Sequence, residues 1–235
     1  MSDVIPAPVQ ARVPVRGGGT FPVRRIYCVG RNFADHAREM GATAPASKAE
    51  RGTPTFFSKP ADAIVTGDAD VRYPRSTQDL HHEVELVVAL GRDARAGVLP
   101  EEVASSLVFG YGVGLDLTRR DLQAAAKKAG LPWDTAKGFD QSAPISELVP
   151  AAEVDGLDAR TLSLEVNGAL RQQAPLTDMI WNVPEILHEL SKLYALKAGD
   201  LVFMGTPSGV AALQTGDRYL ARLEGVVELQ GGIVA

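Results

Sequence analysis

Residues 80–90, LHHEVELVVAL, set two carboxylates into what is otherwise a buried strand. Val84, Leu86, Val87, Val88, Ala89 and Leu90 make an apolar, Val-rich run of strand length. Side chains alternate across a strand, so Glu83 and Glu85 point to one side. Two like charges roughly 7 Å apart or less beside an apolar core are costly unless something positive lies between them. A hard divalent cation with oxygen ligands meets that demand. A strand with a solvated outer face is the alternative, and this segment alone leaves it open.

A third carboxylate follows in FGYGVGLDLT. Gly110, Gly112 and Gly114 share the parity of Asp116, while Tyr111, Val113, Leu115 and Leu117 occupy the other face. One face is thus bare backbone ending in an acid. Glycine inside a strand marks the close approach of a ligand or of another backbone. Read with Glu83 and Glu85, Asp116 completes an oxygen set suited to Mg²⁺ or Mn²⁺; the alternative is a bulged strand whose acid caps the next helix. His81 shares the glutamates' parity, which leaves a His-plus-carboxylate iron site as an option. Adjacent histidines at a strand entrance more commonly pack or hydrogen-bond, and His81 and His82 are read that way. His36 and Glu39 lie three apart on an expected helix and so share a face. A carboxylate on one imidazole nitrogen leaves the other free as a base.

The remaining pattern favours strands. Strands are expected at 24–30, 56–60, 63–65, 107–117, 200–204, 217–223 and 226–234. Asn167-Gly168 splits 162–173 into a hairpin. Helices are expected at 33–40, with Asn32 as N-cap and Gly41 beyond its end, and at 119–129, with Thr118 as cap and Asp121 three residues on. A third opens at Asn182-Val183-Pro184 and carries Ile186, Leu187, Leu190, Leu193 and Tyr194 on its apolar face. Helices do not alternate regularly with strands, so the expected class is α+β with a mixed sheet. Residues 1–20 read as an N-terminal arm, with a flexible joint at 17–20, ahead of one catalytic domain at 21–235. The small, polar stretch 42–53 reads as a mobile loop that closes over substrate.

A chain of 235 residues buries roughly 70–75% of its unfolded surface and needs no disulfide; with Cys28 alone it can form none internally, which suits a reducing cytoplasm. No stretch resembles a signal peptide or a membrane span. A net charge of −5 without a basic stripe argues against nucleic acid.

The motifs GRNFADHAREM, PTFFSKPADAIV, LHHEVELVVAL, GVGLDLTRRDLQAAAKKAGLPWDTAKGFDQSAPIS and GDLVFMGTPSGV resemble the fumarylacetoacetate hydrolase family, and within it the bacterial fumarylpyruvate hydrolases. The likeness runs from about residue 21 to the C-terminus. It implies a mixed β-sheet roll with a few short helices, a homodimer, and Mg²⁺- or Mn²⁺-dependent C–C cleavage of a diketo acid. It makes Glu83, Glu85 and Asp116 the metal ligands and His36 with Glu39 the water-activating pair. Lys137 and Gln123 become polar catalytic groups, and Arg31, Arg120 and Thr206 bind substrate. The function it implies is hydrolysis of a 3-acylpyruvate, fumarylpyruvate first among them. A broader acylpyruvase, an oxaloacetate decarboxylase and an isomerase of unsaturated oxo-diacids share the site; a silent metal-stabilised protein is the non-enzymatic alternative. Two positions depart from the family pattern: Ala211-Ala212 follow Val210 where glycine is usual, and Met204 precedes Gly205 where threonine is frequent.

Overall fold

The computed structural model describes residues 3–39, 41, 43, 45 and 47–235. Two sheets carry the architecture. The central one has six strands in the order Val149–Pro150, Val108–Leu115, Val84–Leu90, Asp200–Phe203, Arg25–Gly30 and Thr55–Lys59. It is mixed: Asp200–Phe203 runs parallel to Arg25–Gly30 and antiparallel to Val84–Leu90. The second sheet orders Ala169–Pro175, Thr161–Val166, Arg218–Leu223, Val227–Val234 and Val71–Arg72. This is the expected α+β arrangement of mixed sheets with few, short helices.

All seven residues of Val84–Leu90 are buried, because both faces of the strand are covered. Leu86, Val88 and Leu90 pack with Leu162, Leu164, Ala221 and Leu223 of the second sheet. Val87 and Ala89 pack on the other side with Ile26, Cys28, Leu201, Phe203 and Ile145. A strand buried twice has no solvated face for a glutamate, so Glu83 and Glu85 sit at its open end. Among the described residues no helix is long and apolar enough to cross a membrane.

Locally encoded elements form as expected. Asn167 and Gly168 both take positive φ, 53° and 75°, as a tight two-residue hairpin turn requires. Helix Val183–Ser191 opens on a capping box: the Asn182 side chain accepts from Glu185 N, and the Glu185 carboxylate accepts from Asn182 N. It stops short of Leu193 and Tyr194, which are exposed.

Other expectations are corrected, or fall partly outside the described residues. The Asn32 side chain is spent on Trp181 and on Met204 O, joining the first site loop to two distant segments. Met40 of the expected first helix lies outside the described residues; Ala34–Glu39 is helical. The helix expected at 119–129 is Arg120–Ala129, with Arg119 at its N-cap and no side-chain cap bond. Thr118 instead donates to Asp116 O, and Asp121 accepts from Thr77 and Gln78. Gly17, Gly18 and Gly19 form the turn of a hairpin between Arg12–Pro14 and Thr20–Pro22, with Val13 fully buried. Of the loop expected at 42–53, Ala42, Ala44 and Ala46 lie outside the described residues. Its later part is tethered: Arg51 makes bonds of 2.9 and 3.1 Å to Glu185 and stacks 3.8 Å over Trp181, while Lys48 reaches Glu185 at 2.8 Å. Burial opposes ionisation of Glu185, but Arg51 and Lys48 outweigh it and hold its pKa down at about 2.

Candidate active site and metal centre

The register of the two central strands assembles the acidic cluster. Val84 pairs with Leu115 and Glu85 with Gly114, and Asp116 N donates to Glu83 O at 2.8 Å. Glu83 therefore stands opposite Asp116, and residues opposite one another project to the same face. One oxygen from each of Glu83, Glu85 and Asp116 lies within 4.8 Å of the other two, and all three residues are buried.

The glycine parity that pointed to this face has a different cause. A Cβ on Gly110 would stand 2.3 Å from Val149 O, and one on Gly114 would stand 2.7 Å from Phe203. The bare face accommodates a neighbouring backbone and an aromatic ring; no ligand is needed to explain it.

Lys137 lies in a single helical turn, Asp134–Lys137, and its ammonium bridges Glu83 at 2.8 Å and Asp116 at 2.6 Å. Burial alone lowers a lysine pKa, but Asp116 and Glu83 reverse that here and raise it. Arg120 reaches Glu83 Oε1 at 2.5 Å and donates to Gln123 Oε1 at 2.7 Å. Although burial works against its charge, Glu83 is held well below the usual carboxylate range by Lys137 and Arg120. Glu85 differs. It accepts from Gly205 N at 2.7 Å and, among the described residues, makes no ion pair, so burial, Asp116 and Glu83 push its pKa well up. Lys59, which sequence reasoning passed over in SKP, stands 2.9 Å from Asp116 Oδ1. Its hydrogen bonds go to Leu117 O and Lys137 O, and Asp116 Oδ1 is left buried without one. An all-oxygen donor set in which the Glu85 carboxylate is left without a compensating charge fits a hard divalent cation. His81 bonds Asp79, and His82 bonds Gln172; neither belongs to the cluster.

His36, Arg31, Gln123, Lys137, Arg120 and Thr206 line the same cavity as the three carboxylates. His36 is 6% exposed, and its Nδ1 is 3.1 Å from Glu39 Oε2. Protonated Nδ1 donates to that carboxylate and leaves Nε2 as an acceptor. Glu39 is held in turn: its other oxygen accepts from Gly209 N at 3.0 Å. The acceptor oxygen of Gln123 is taken by Arg120, so the amide offers its NH₂ group. Gln172, unmarked by any sequence motif, receives His82 Nδ1 and Val84 N on its oxygen and donates to Thr206 Oγ1 and Pro207 O. With its lone pair so engaged, the Thr206 hydroxyl has its proton to give. The departures noted in sequence settle into structure: Ala211 O accepts from His82 N, Ala212 pairs with His81, and Met204 is core.

Gly209 makes a prediction. Its φ is +96°, and a Cβ there would stand 2.2 Å from Arg171 O. Gly209→Ala is expected to destabilise the fold by more than about 1–2 kcal/mol in denaturant unfolding, and to slow turnover by releasing Glu39. Unchanged stability and unchanged rate would remove this anchor from the account.

A family model described as fumarylacetoacetate (FAA) hydrolase C-terminal matches residues 25–234. The chain belongs to the fumarylacetoacetate hydrolase family. Oxaloacetate tautomerase YcgM of Escherichia coli (strain K12) is 43% identical over 206 residues, 87% of this chain and 90% of the relative. The mitochondrial oxaloacetate tautomerase FAHD1 of Rattus norvegicus is 42% identical over 207 residues, 88% and 90% of the two chains. A crystal structure of fumarylpyruvate hydrolase from Pseudomonas aeruginosa, in complex with Mn²⁺ and pyruvate, superposes with a TM-score of 0.92 at 43% identity over 99% of both chains.

Proposed function

We propose that this fumarylacetoacetate hydrolase family member hydrolyses the C–C bond of a 3-acylpyruvate, with fumarylpyruvate as substrate and fumarate and pyruvate as products. The observation that carries the reading is the His36–Glu39 pair opening onto the cavity that holds the carboxylate triad. The fumarylpyruvate hydrolase of Pseudomonas aeruginosa supports it by likeness over the whole chain. A divalent cation, Mg²⁺ or Mn²⁺, held by Glu83, Glu85 and Asp116 would supply Lewis-acid stabilisation of negative charge on the departing pyruvate unit.

The chain's own groups do the rest. His36, its Nδ1 held by Glu39, takes a proton from water at Nε2. The water oxygen bonds to the distal carbonyl carbon. The Gln123 NH₂ donates to the carbonyl oxygen as charge develops there. Lys137 spends two of its three N–H groups on Glu83 and Asp116 and keeps the third for that oxygen. The bond between the carbonyl carbon and the methylene then breaks, and the methylene takes a proton to give pyruvate. Thr206 and Arg120 hold the substrate's acid end. We further propose a cytoplasmic homodimer, the location from the lone Cys28 and the oligomer from the family resemblance; fractionation and sedimentation test them.

A second reading has its own support in the two tautomerase relatives. Tautomerisation of oxaloacetate moves a proton between carbon and oxygen and needs no activated water, so the same His36 serves. A panel of fumarylpyruvate, acetylpyruvate and oxaloacetate with Mg²⁺ separates the two. Cleavage of an acylpyruvate is the expected result. Rapid oxaloacetate tautomerisation with no acylpyruvate cleavage would replace the hydrolase reading.

A further inference from the structure

The helix Arg120–Ala129 carries three polar side chains on one face, at spacings of three and four: Arg120, Gln123 and Lys127. All three line the cavity that holds the acidic cluster. Arg120 bonds Glu83 and Gln123 and, on the proposed reading, also holds the substrate's proximal acid end. Lys127 is not committed. It is half-buried, stands 5.1 Å over the Trp133 ring, and makes no ion pair with any carboxylate among the described residues. Its charged neighbours are largely of its own sign: after burial, Arg120 and Arg31 are the main influences depressing its pKa. Arg31 lines the same cavity, also lacks an ion-pair partner among the described residues, and sits at φ 59°. That left-handed backbone conformation is uncommon for a side chain of its kind. Two cations without counter-ions, beside a third, form a positive wall facing an acidic centre.

The helix also sets a length. Its rise of about 1.5 Å per residue places Lys127 roughly 6 Å beyond Gln123 along the axis, and its side chain leans back toward the N-terminus. An extended carbon chain advances roughly 1.2 Å per bond. A diketo acid held at the triad by its pyruvate end, with its second carbonyl at Gln123, places a carboxylate three bonds further on at about 4 Å, within reach of Lys127. The carboxylates of a four-carbon diacid such as oxaloacetate are only three bonds apart in all, and the second falls short.

We infer that Lys127, seconded by Arg31, forms an anion subsite for the distal carboxylate of a linear seven-carbon diketo diacid. The inference rests on the acylpyruvate reading and deepens it, by assigning chain-length and charge selection to a residue outside the chemistry. The Trp133 ring, 5.1 Å from the Lys127 ammonium, covers one side of it.

The test compares fumarylpyruvate with crotonylpyruvate, in which a methyl replaces the distal carboxylate, on wild type, Lys127→Met and Lys127→Arg. The ratio of kcat/KM for the two substrates is expected to fall at least about tenfold in Lys127→Met, chiefly through the diacid, and to stay within about threefold in Lys127→Arg. An unchanged ratio in Lys127→Met overturns the subsite. So does an equal loss on both substrates, which would mean that Lys127 only packs against Trp133. Calorimetric affinities for the same two compounds, measured with Mg²⁺ in a His36→Ala background, separate the subsite from the hydrolase reading. If wild type cleaves neither compound, that reading fails. A tenfold loss of diacid affinity on Lys127→Met then still upholds the subsite, and no loss overturns it.

Discussion

Removing the divalent cation, by exhaustive chelation or by Glu85→Ala, is expected to lower the proposed acylpyruvate turnover by about 10³ or more. Mg²⁺ or Mn²⁺ restores the chelated wild type and does not restore the variant. The scale follows from several kcal/mol of charge stabilisation on a poor carbon leaving group, at about 1.4 kcal/mol per factor of ten. Calorimetric titration with Mg²⁺ gives a readout free of turnover: the variant shows no binding at concentrations that saturate the wild type. The pH dependence has a definite sign. Burial, Asp116 and Glu83 raise Glu85 well above 4.5 in the cation-free fold. Its unfolded counterpart loses the proton near 4.5. Between those two values the folded chain binds more protons than the unfolded one. Its contribution to stability is therefore full below 4.5 and is lost as pH rises through the folded value. The cation must displace that proton, so its apparent affinity and the thermal shift it produces both grow as pH rises through the same window. Full turnover by a demonstrably metal-free protein, or a thermal shift that shrinks with rising pH, would defeat this account.

On the proposed reading, His36→Ala is expected to lower acylpyruvate hydrolysis by about 10² or more, the ordinary contribution of a positioned general base. Glu39→Gln has a smaller effect of the same kind, because it weakens the hold on Nδ1 while leaving Nε2 in place. Oxaloacetate decarboxylation, if measurable, need not fall in parallel, since it requires charge stabilisation without an activated water. Parallel assays on one preparation of the variant make the comparison. Hydrolysis at the wild-type rate would reduce His36 to a packing residue.

What was legible in the chain follows from period and proximity. The alternation around Glu83 and Glu85, the Asn167-Gly168 turn and the helix start at Asn182-Val183-Pro184 are each decided within a few residues. Backbone sterics and local hydrogen bonds reward the same choice in any surroundings. Asp116 was legible as an acid at a strand end and through its family motif. That it faces Glu83 is a matter of register between two strands, which no single segment carries.

Polar side chains with more than one possible partner were misread in sequence. Asn32 and Thr118 are good caps on local grounds, yet Asn32 bonds to Trp181 and Met204, and Thr118 to Asp116 O. The glycine face leading to Asp116 was open to a ligand or to a backbone, and Val149 occupies it. Lys59, Lys127 and Gln172 carry no local signature; Gln172 meets His82 from 90 residues away. By itself, then, the sequence determined most of the longer strands, the 167–168 turn, the start of one helix and the presence of a costly acidic pair. The tertiary structure alone decided which buried donors and acceptors meet. A buried polar group left unpaired costs about 1–3 kcal/mol, so each partner is chosen by the demand that the whole interior be satisfied together.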